Sequence, residues 1–109
     1  MSKQMIAPYR KSGNLIFLSG VTGAPGDAKI QMVNVFEKVK QLLKEAGTSM
    51  ENILSVVVYL ADLNDRPTAL NAIWEKYFSA NPPARTTVEV GLGAGILVEI
   101  QVVAQLPLK

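Results

Sequence analysis

The sequence predicts one α+β domain, a mixed sheet in the order β-β-α-β-α-β-β with two helices packed on one face. Three observations lead there. The chain has 109 residues, of which 49% are hydrophobic and 18% charged, so it has room for a single core and too little charge for a disordered chain. Two segments repeat apolar residues at helical spacing, and between and around them lie short runs rich in Val, Ile and Leu. Helices and strands do not alternate in regular β-α units from end to end, which points to α+β.

The first strand is short and lies around Pro8–Lys11. The second reads Asn14-Leu15-Ile16-Phe17-Leu18-Ser19 and is ended by Gly20. Gly23, Pro25, Gly26 and Asp27 then mark a turn-rich loop. From about Lys29 to Ala46, Ile30, Val33, Phe36, Val39, Leu42, Leu43 and Ala46 recur on one face of a helix, and Gly47 suits the left-handed position just past its end. Lys38, Lys40 and Lys44 alternate with Glu37 and Glu45 on the opposite side, the pattern of a solvated face more than of an RNA-facing stripe.

Ile53-Leu54-Ser55-Val56-Val57-Val58-Tyr59-Leu60 is an almost unbroken apolar strand, the pattern of a strand covered on both faces. Two helices cover only one face of a sheet, so the economical cover for the other face is a second copy of the chain. Asp62-Leu63-Asn64-Asp65 opens the second helix, with Asn64 or Asp65 as cap and Pro67 in its first turn. That helix runs to about Ser79, with Ala69, Leu70, Ile73, Trp74, Tyr77 and Phe78 on its core face, and Asn81-Pro82-Pro83 breaks it. Two strands follow, about Thr86–Val90 and Ile96–Leu106, and read as a hairpin. In the last strand Ile96, Val98, Ile100, Val102 and Ala104 share the helix-facing side, while Leu97, Glu99, Gln101, Val103 and Gln105 share the other.

Composition excludes several chemistries. With no Cys and no His, thiol catalysis, disulfides and His-assisted nucleophiles are ruled out, and a zinc site is not expected. Asp, Glu, Tyr or Lys must then carry any proton transfer. A net charge of +2 with mixed signs argues against a nucleic-acid partner. The absence of a signal-like segment or a run able to span a bilayer leads to an expected cytoplasmic location without a membrane partner.

Gly91-Leu92-Gly93-Ala94-Gly95 invites a phosphate-loop reading, but no helix follows it, so the N-terminal amides that bind phosphate are missing. Arg85, after Pro82-Pro83, is either a surface ion-pair partner or a clamp for a planar carboxylate. Glu99 interrupts an apolar strand and is either solvent-facing or held in a site, where desolvation favours general-acid chemistry. Asn71, a weak helix former, lies beside the apolar stripe of the second helix, where a polar partner or a cap explains it. Tyr9 and Ser19-Gly20 have ordinary packing and turn readings.

Taken together, Pro8-Tyr9, Leu18-Ser19-Gly20, Val58-Tyr59-Leu60-Ala61-Asp62, Asn71-Ala72-Ile73-Trp74, Pro83-Ala84-Arg85-Thr86 and Val98-Glu99-Ile100 make the chain resemble the reactive intermediate deaminase (Rid, RidA-like or YjgF-type) family over nearly its whole length. The Pro-Ala-Arg-Thr segment followed by Val-Glu-Ile is the most specific part. The resemblance implies a homotrimer with sheets inside, helices outside and sites between subunits. It implies hydrolysis of enamines and imines such as 2-aminoacrylate and 2-iminopropanoate to 2-keto acids and ammonia, without a cofactor or metal. Arg85 would bind the substrate carboxylate, Glu99 would activate water and shuttle protons, and the Thr87 carbonyl would hold that water. Tyr9, Ser19, Gly20 and Asn71 match positions that line or shape the pocket. Two departures stand out. Thr87 replaces a cysteine common in the family, and the loop after Gly20 is shorter and different in sequence. A non-catalytic 2-keto-acid sensor and an endoribonuclease or translation inhibitor are the alternative functions.

Overall fold

The computed structural model describes residues 5–107. Six strands form one sheet: β1 (Tyr9–Ser12), β2 (Leu15–Leu18), β3 (Val21–Thr22), β4 (Ile53–Leu60), β5 (Ala84–Glu89) and β6 (Val98–Gln105). Two helices, α1 (Ala28–Ala46) and α2 (Asn71–Tyr77), complete the α+β domain. The sheet order is β1-β2-β6-β4-β5, with β3 pairing to β6 beyond β2. The pairing of β4 with β5 is parallel and the others are antiparallel, so the sheet is mixed.

α1 starts where Asp27 accepts a hydrogen bond from the Ile30 N–H at 2.9 Å, a side-chain N-cap. It ends at Gly47, whose φ of +98° lets Gly47 and Thr48 donate back to Lys44 and Leu43. Met32, Val35, Phe36, Val39 and Leu43 pack under the sheet's Val56, Val58, Leu60, Val98, Ile100 and Val102. Trp74, Tyr77 and Phe78 lie within 4.9–6.1 Å of the Phe36 ring centroid, and this aromatic contact brings α2 beside α1.

Several expectations need correction. Gly20 does not end the second strand for good. Val21–Thr22 resumes it along β6, and Phe17 faces Val103 while Val21 faces Ile100, so the chain carries one extra residue at Ser19-Gly20. This makes six strands where five are expected. The second helix opens with a π-wound turn, Arg66–Leu70, before α2 proper. Neither Asn64 nor Asp65 caps it through its side chain. Asp65 already has helical backbone angles (φ −75°, ψ −8°), unlike the extended backbone of a capping residue. The Asp62 carboxylate instead accepts from the Asn64 N–H at 2.9 Å. Burial and the neighbouring Asp62 charge push the Asp65 carboxyl above its ordinary range.

The largest correction concerns the last two strands. β5 and β6 do not form a hairpin, because β4 lies between them. The segment from Val90 to Leu97 crosses the end of β4, and Val90 and Ala61 anchor it by bonds to Leu60 and Leu97 carbonyls. The helix before β5 is what brings β5 parallel to β4, and a connection of this length reaches past one strand where a tight turn does not.

The molecule is a slab of 43 × 40 × 19 Å, with helices on one side of the sheet only. On the other side Phe17 and Val88 are exposed and Val57, Tyr59 and Val103 are half-buried. No described helix is long and apolar enough to cross a membrane.

Candidate functional site

The anticipated site residues fall into three groups. The first surrounds Glu99. Glu99 sits opposite Tyr59 of β4 and Thr22 of β3, on the helix-free face. It lines a hollow of about 490 Å³ with Gly20, Tyr59, Val90, Gly91, Leu92, Gly93 and Gln101. Gly20 belongs here for a steric reason. A Cβ on it would collide with the Glu99 carboxylate, so the bulge at Ser19-Gly20 lets the backbone close over that side chain. The glycine-spaced segment supplies a wall of this hollow, which accords with the site-shaping role that the family resemblance allows it and not with a hairpin turn.

The second group surrounds Arg85. The Arg85 Nη2 donates to the Asn71 side-chain oxygen at 2.9 Å, and its guanidinium carbon lies 4.8 Å from the centre of the Trp74 ring. Asn71 and Trp74 are one helical turn apart on α2, so both meet the same side chain. Asn71 thus has the polar partner that its place beside an apolar stripe suggested. Burial lowers the Arg85 pKa from its ordinary value, and the Arg66 cation adds to the effect, with no carboxylate among the described residues acting against them. Thr87 shares the Arg85 side of β5, and its hydroxyl oxygen is buried without a hydrogen-bond partner among the described residues. Trp74 and Tyr59, which complete these two groups, read in the sequence only as core and strand residues. Their apolar neighbours concealed them.

The third group is Tyr9 and Ser19. Tyr9 pairs with Leu18 and packs against the core, and the Ser19 hydroxyl donates to the Ala7 carbonyl at 2.6 Å. Ser19 lines a separate hollow of about 410 Å³ with Pro8, Val21, Lys38 and Leu42, which meets the Glu99 hollow at Gly20.

Within one chain Arg85 and Glu99 do not meet. Arg85 is opposite Val56, whose side chain points to the helices, and Glu99 is opposite Tyr59 on the other face. Two strand spacings and three residues separate their backbones, roughly 14 Å. The cation and the acid therefore stand in two separate places on one chain. Glu99 lines a concave patch on the sheet's bare face. Arg85 projects from the sheet's edge strand.

Known proteins agree with this fold. A family model described as Endoribonuclease L-PSP matches residues 3–106. A RutC family protein of Pyrococcus abyssi is 40% identical over 111 residues, covering 91% of this chain and 87% of the relative. A 3-aminoacrylate deaminase RutC of Acinetobacter baylyi is 34% identical with the same coverage. The crystal structure of NMB1025 from Neisseria meningitidis, a member of the YjgF protein family, superposes with a TM-score of 0.92 at 28% identity, covering 99% of this chain and 92% of that one. On fold, sequence and length alike, the chain belongs to the Rid family of YjgF- and RutC-type proteins.

Proposed function

We propose that the protein hydrolyses 2-imino acids and their enamine tautomers to 2-keto acids and ammonia, in a cleft that two copies complete. The observation that carries this reading is the state of Arg85. A half-buried guanidinium, held over Trp74 and oriented by Asn71, has no carboxylate acting on it among the described residues. A cation preorganised in this way is suited to grip a planar carboxylate through two N–H donors.

The acid stands on a different surface, and this determines how copies must meet. The Arg85 edge of one copy docks over the Glu99 hollow of the next, so the contact is head-to-tail. A head-to-tail contact that closes makes a ring. The bare apolar sheet face, with Phe17, Val57 and Val88, gives the ring its inner surface. Three copies per ring is the number that the family resemblance implies.

In the completed cleft Arg85 fixes the substrate carboxylate and so places the imine carbon over the Glu99 carboxylate. Glu99 takes a proton from a water held with help from the Thr87 carbonyl, and the oxygen adds to the C=N carbon. The resulting carbinolamine bears O–H and N–H groups on one carbon. With the imine entering protonated, Glu99 next gives its proton to the amino nitrogen and then takes the hydroxyl proton as the C–N bond breaks, so ammonia leaves, the C=O forms, and that last proton passes to the ammonia. An enamine enters the same path after protonation of its terminal carbon. Free imines already hydrolyse in water, so orientation and one proton relay are enough.

Ammonia release from enzymatically generated 2-aminoacrylate tests the reading. Arg85→Ala is expected to lower kcat/KM roughly 100-fold, the loss of a charge-assisted clamp. Equal rates for the wild type and this variant would overturn it. An endoribonuclease activity draws support from the names of the family and of some similar structures, and from no arrangement of residues in the site. Lys38, on the lysine-bearing face of α1, is engaged by the Thr22 carbonyl at 2.8 Å.

A further inference from the structure

Gln31 is the largest polar side chain in the core, 1% exposed, and it lies far from any hydrophobic role. Its Nε2 donates to the Gly26 carbonyl at 2.8 Å and to the Gly95 carbonyl at 3.0 Å, and its Oε1 accepts from the Leu97 N–H at 2.9 Å. These three bonds join two segments that are distant in sequence. Gly26 ends the segment that begins at Gly20 and carries β3 and the loop after it. Gly95 and Leu97 end the connection whose Gly91, Leu92 and Gly93 line the Glu99 hollow. Leu97 lies two residues before Glu99 itself.

The neighbouring donors of α1 behave differently. One turn on, Asn34 donates to the Gly23 carbonyl at 3.0 Å, and a further turn on, Lys38 donates to the Thr22 carbonyl at 2.8 Å. Both hold the first loop only. Gln31 alone among these three reaches both loops, and it does so with a side chain that water does not reach. In a buried site a fully bonded amide holds its partners tightly, because separating them leaves donors and acceptors unsatisfied.

We infer that Gln31 is a positioning residue that sets the shape of the Glu99 hollow by clamping the Gly20–Gly26 loop to the Gly91–Leu97 connection. The inference rests on the reading of Glu99 as the proton-relaying group. Gln31 touches neither Glu99 nor the hollow, so it acts through backbone alone. A residue of this kind affects the orientation of the acid more than the grip on the substrate, which belongs to Arg85.

Gln31→Met keeps length and burial while removing all three bonds, and Asn34→Ala serves as the control that releases one loop only. Gln31→Met is expected to lower kcat at least tenfold with KM changed by less than about threefold. Amide hydrogen exchange at Leu97 and across Gly91–Gly95 is expected to accelerate with it. Asn34→Ala is expected to leave kcat within about twofold and exchange at Leu97 unchanged. Should Gln31→Met fail to fold, Gln31→Glu keeps the acceptor for Leu97, sets a carboxylate against two carbonyls, and carries the same test.

An active wild type with Gln31→Met matching it in kcat overturns the inference and leaves the proposed reaction standing. A kcat loss accompanied by an equal rise in KM, or by an equal loss in Asn34→Ala, also overturns it. If wild type and Arg85→Ala release ammonia equally, the proposed reaction fails instead. Unchanged exchange at Leu97 and Gly91–Gly95 in Gln31→Met then overturns the clamp, and accelerated exchange confined to that variant sustains it.

Discussion

Gly20 carries no side chain because Glu99 occupies the space in which a Cβ would stand. The atoms it would meet are the flexible end of Glu99, so the carboxylate can swing away at little cost to the fold. Gly20→Ala is therefore expected to leave stability within about 1 kcal/mol, measured by thermal unfolding, while deamination falls about 100-fold because the acid is displaced. A proportionate loss of both would show that Gly20 serves the strand and not the acid. Arg85 and Asn71 show the opposite degree of legibility. Asn71's place beside an apolar stripe suggested a polar partner without naming one, and a bond of 2.9 Å shows that partner to be Arg85. Thr87 marks where reading stopped. In the sequence it stands out only as the replacement of a family cysteine, and packing alone reveals that its hydroxyl is buried without a partner among the described residues.

At the scale of elements, the span of α1, β4 and the core face of α2 were legible because each has a strong apolar period and clear end signals, although Ile30 and Val33 of the expected α1 face are exposed and Met32 and Val35 are buried instead. The bulge at Ser19-Gly20 and the π-wound turn at Arg66–Leu70 were not, since both depend on contacts with other segments. The absent hairpin has the same cause. Two strands joined by glycines look like neighbours until the pairing of β4 with both is known. The contact between α1 and α2 yields a prediction of its own. Tyr77 donates to the Glu37 carboxylate at 2.6 Å, and burial together with this bond pushes the Tyr77 pKa up to about 12. The folded-state value lies above the unfolded one near 10, so the stabilisation is fully present below pH 10 and is lost as the pH rises towards 12. The stability difference between wild type and Tyr77→Phe is expected to be constant below pH 10 and to shrink above it. Denaturant unfolding across that range checks this, and a difference that persists to pH 12 would contradict it.

For the whole molecule, the decisive feature is that Arg85 and Glu99 stand on two different surfaces of each chain. If copies combine them, mixing Arg85→Ala with Glu99→Gln, each inactive alone, restores intact clefts wherever an unaltered edge meets an unaltered hollow. After co-refolding at equal amounts, about a quarter of the clefts in a closed ring are whole, and activity is expected to recover to that fraction. A site confined to one chain permits no recovery, because every chain then bears a lesion. The sequence by itself determined the α+β class, the two helices, the central apolar strand and the residue types able to grip an anion and move a proton. Those follow from local periodicity and from side-chain chemistry, which a linear chain displays. Only the tertiary structure decided that β4 separates β5 from β6, that Arg85 and Glu99 face opposite ways, that Gly20 closes on Glu99, and that Gln31 ties Gly26 to Gly95 and Leu97. Strand order and facing arise from pairing between distant segments, and no local pattern in the chain records which partners those segments choose.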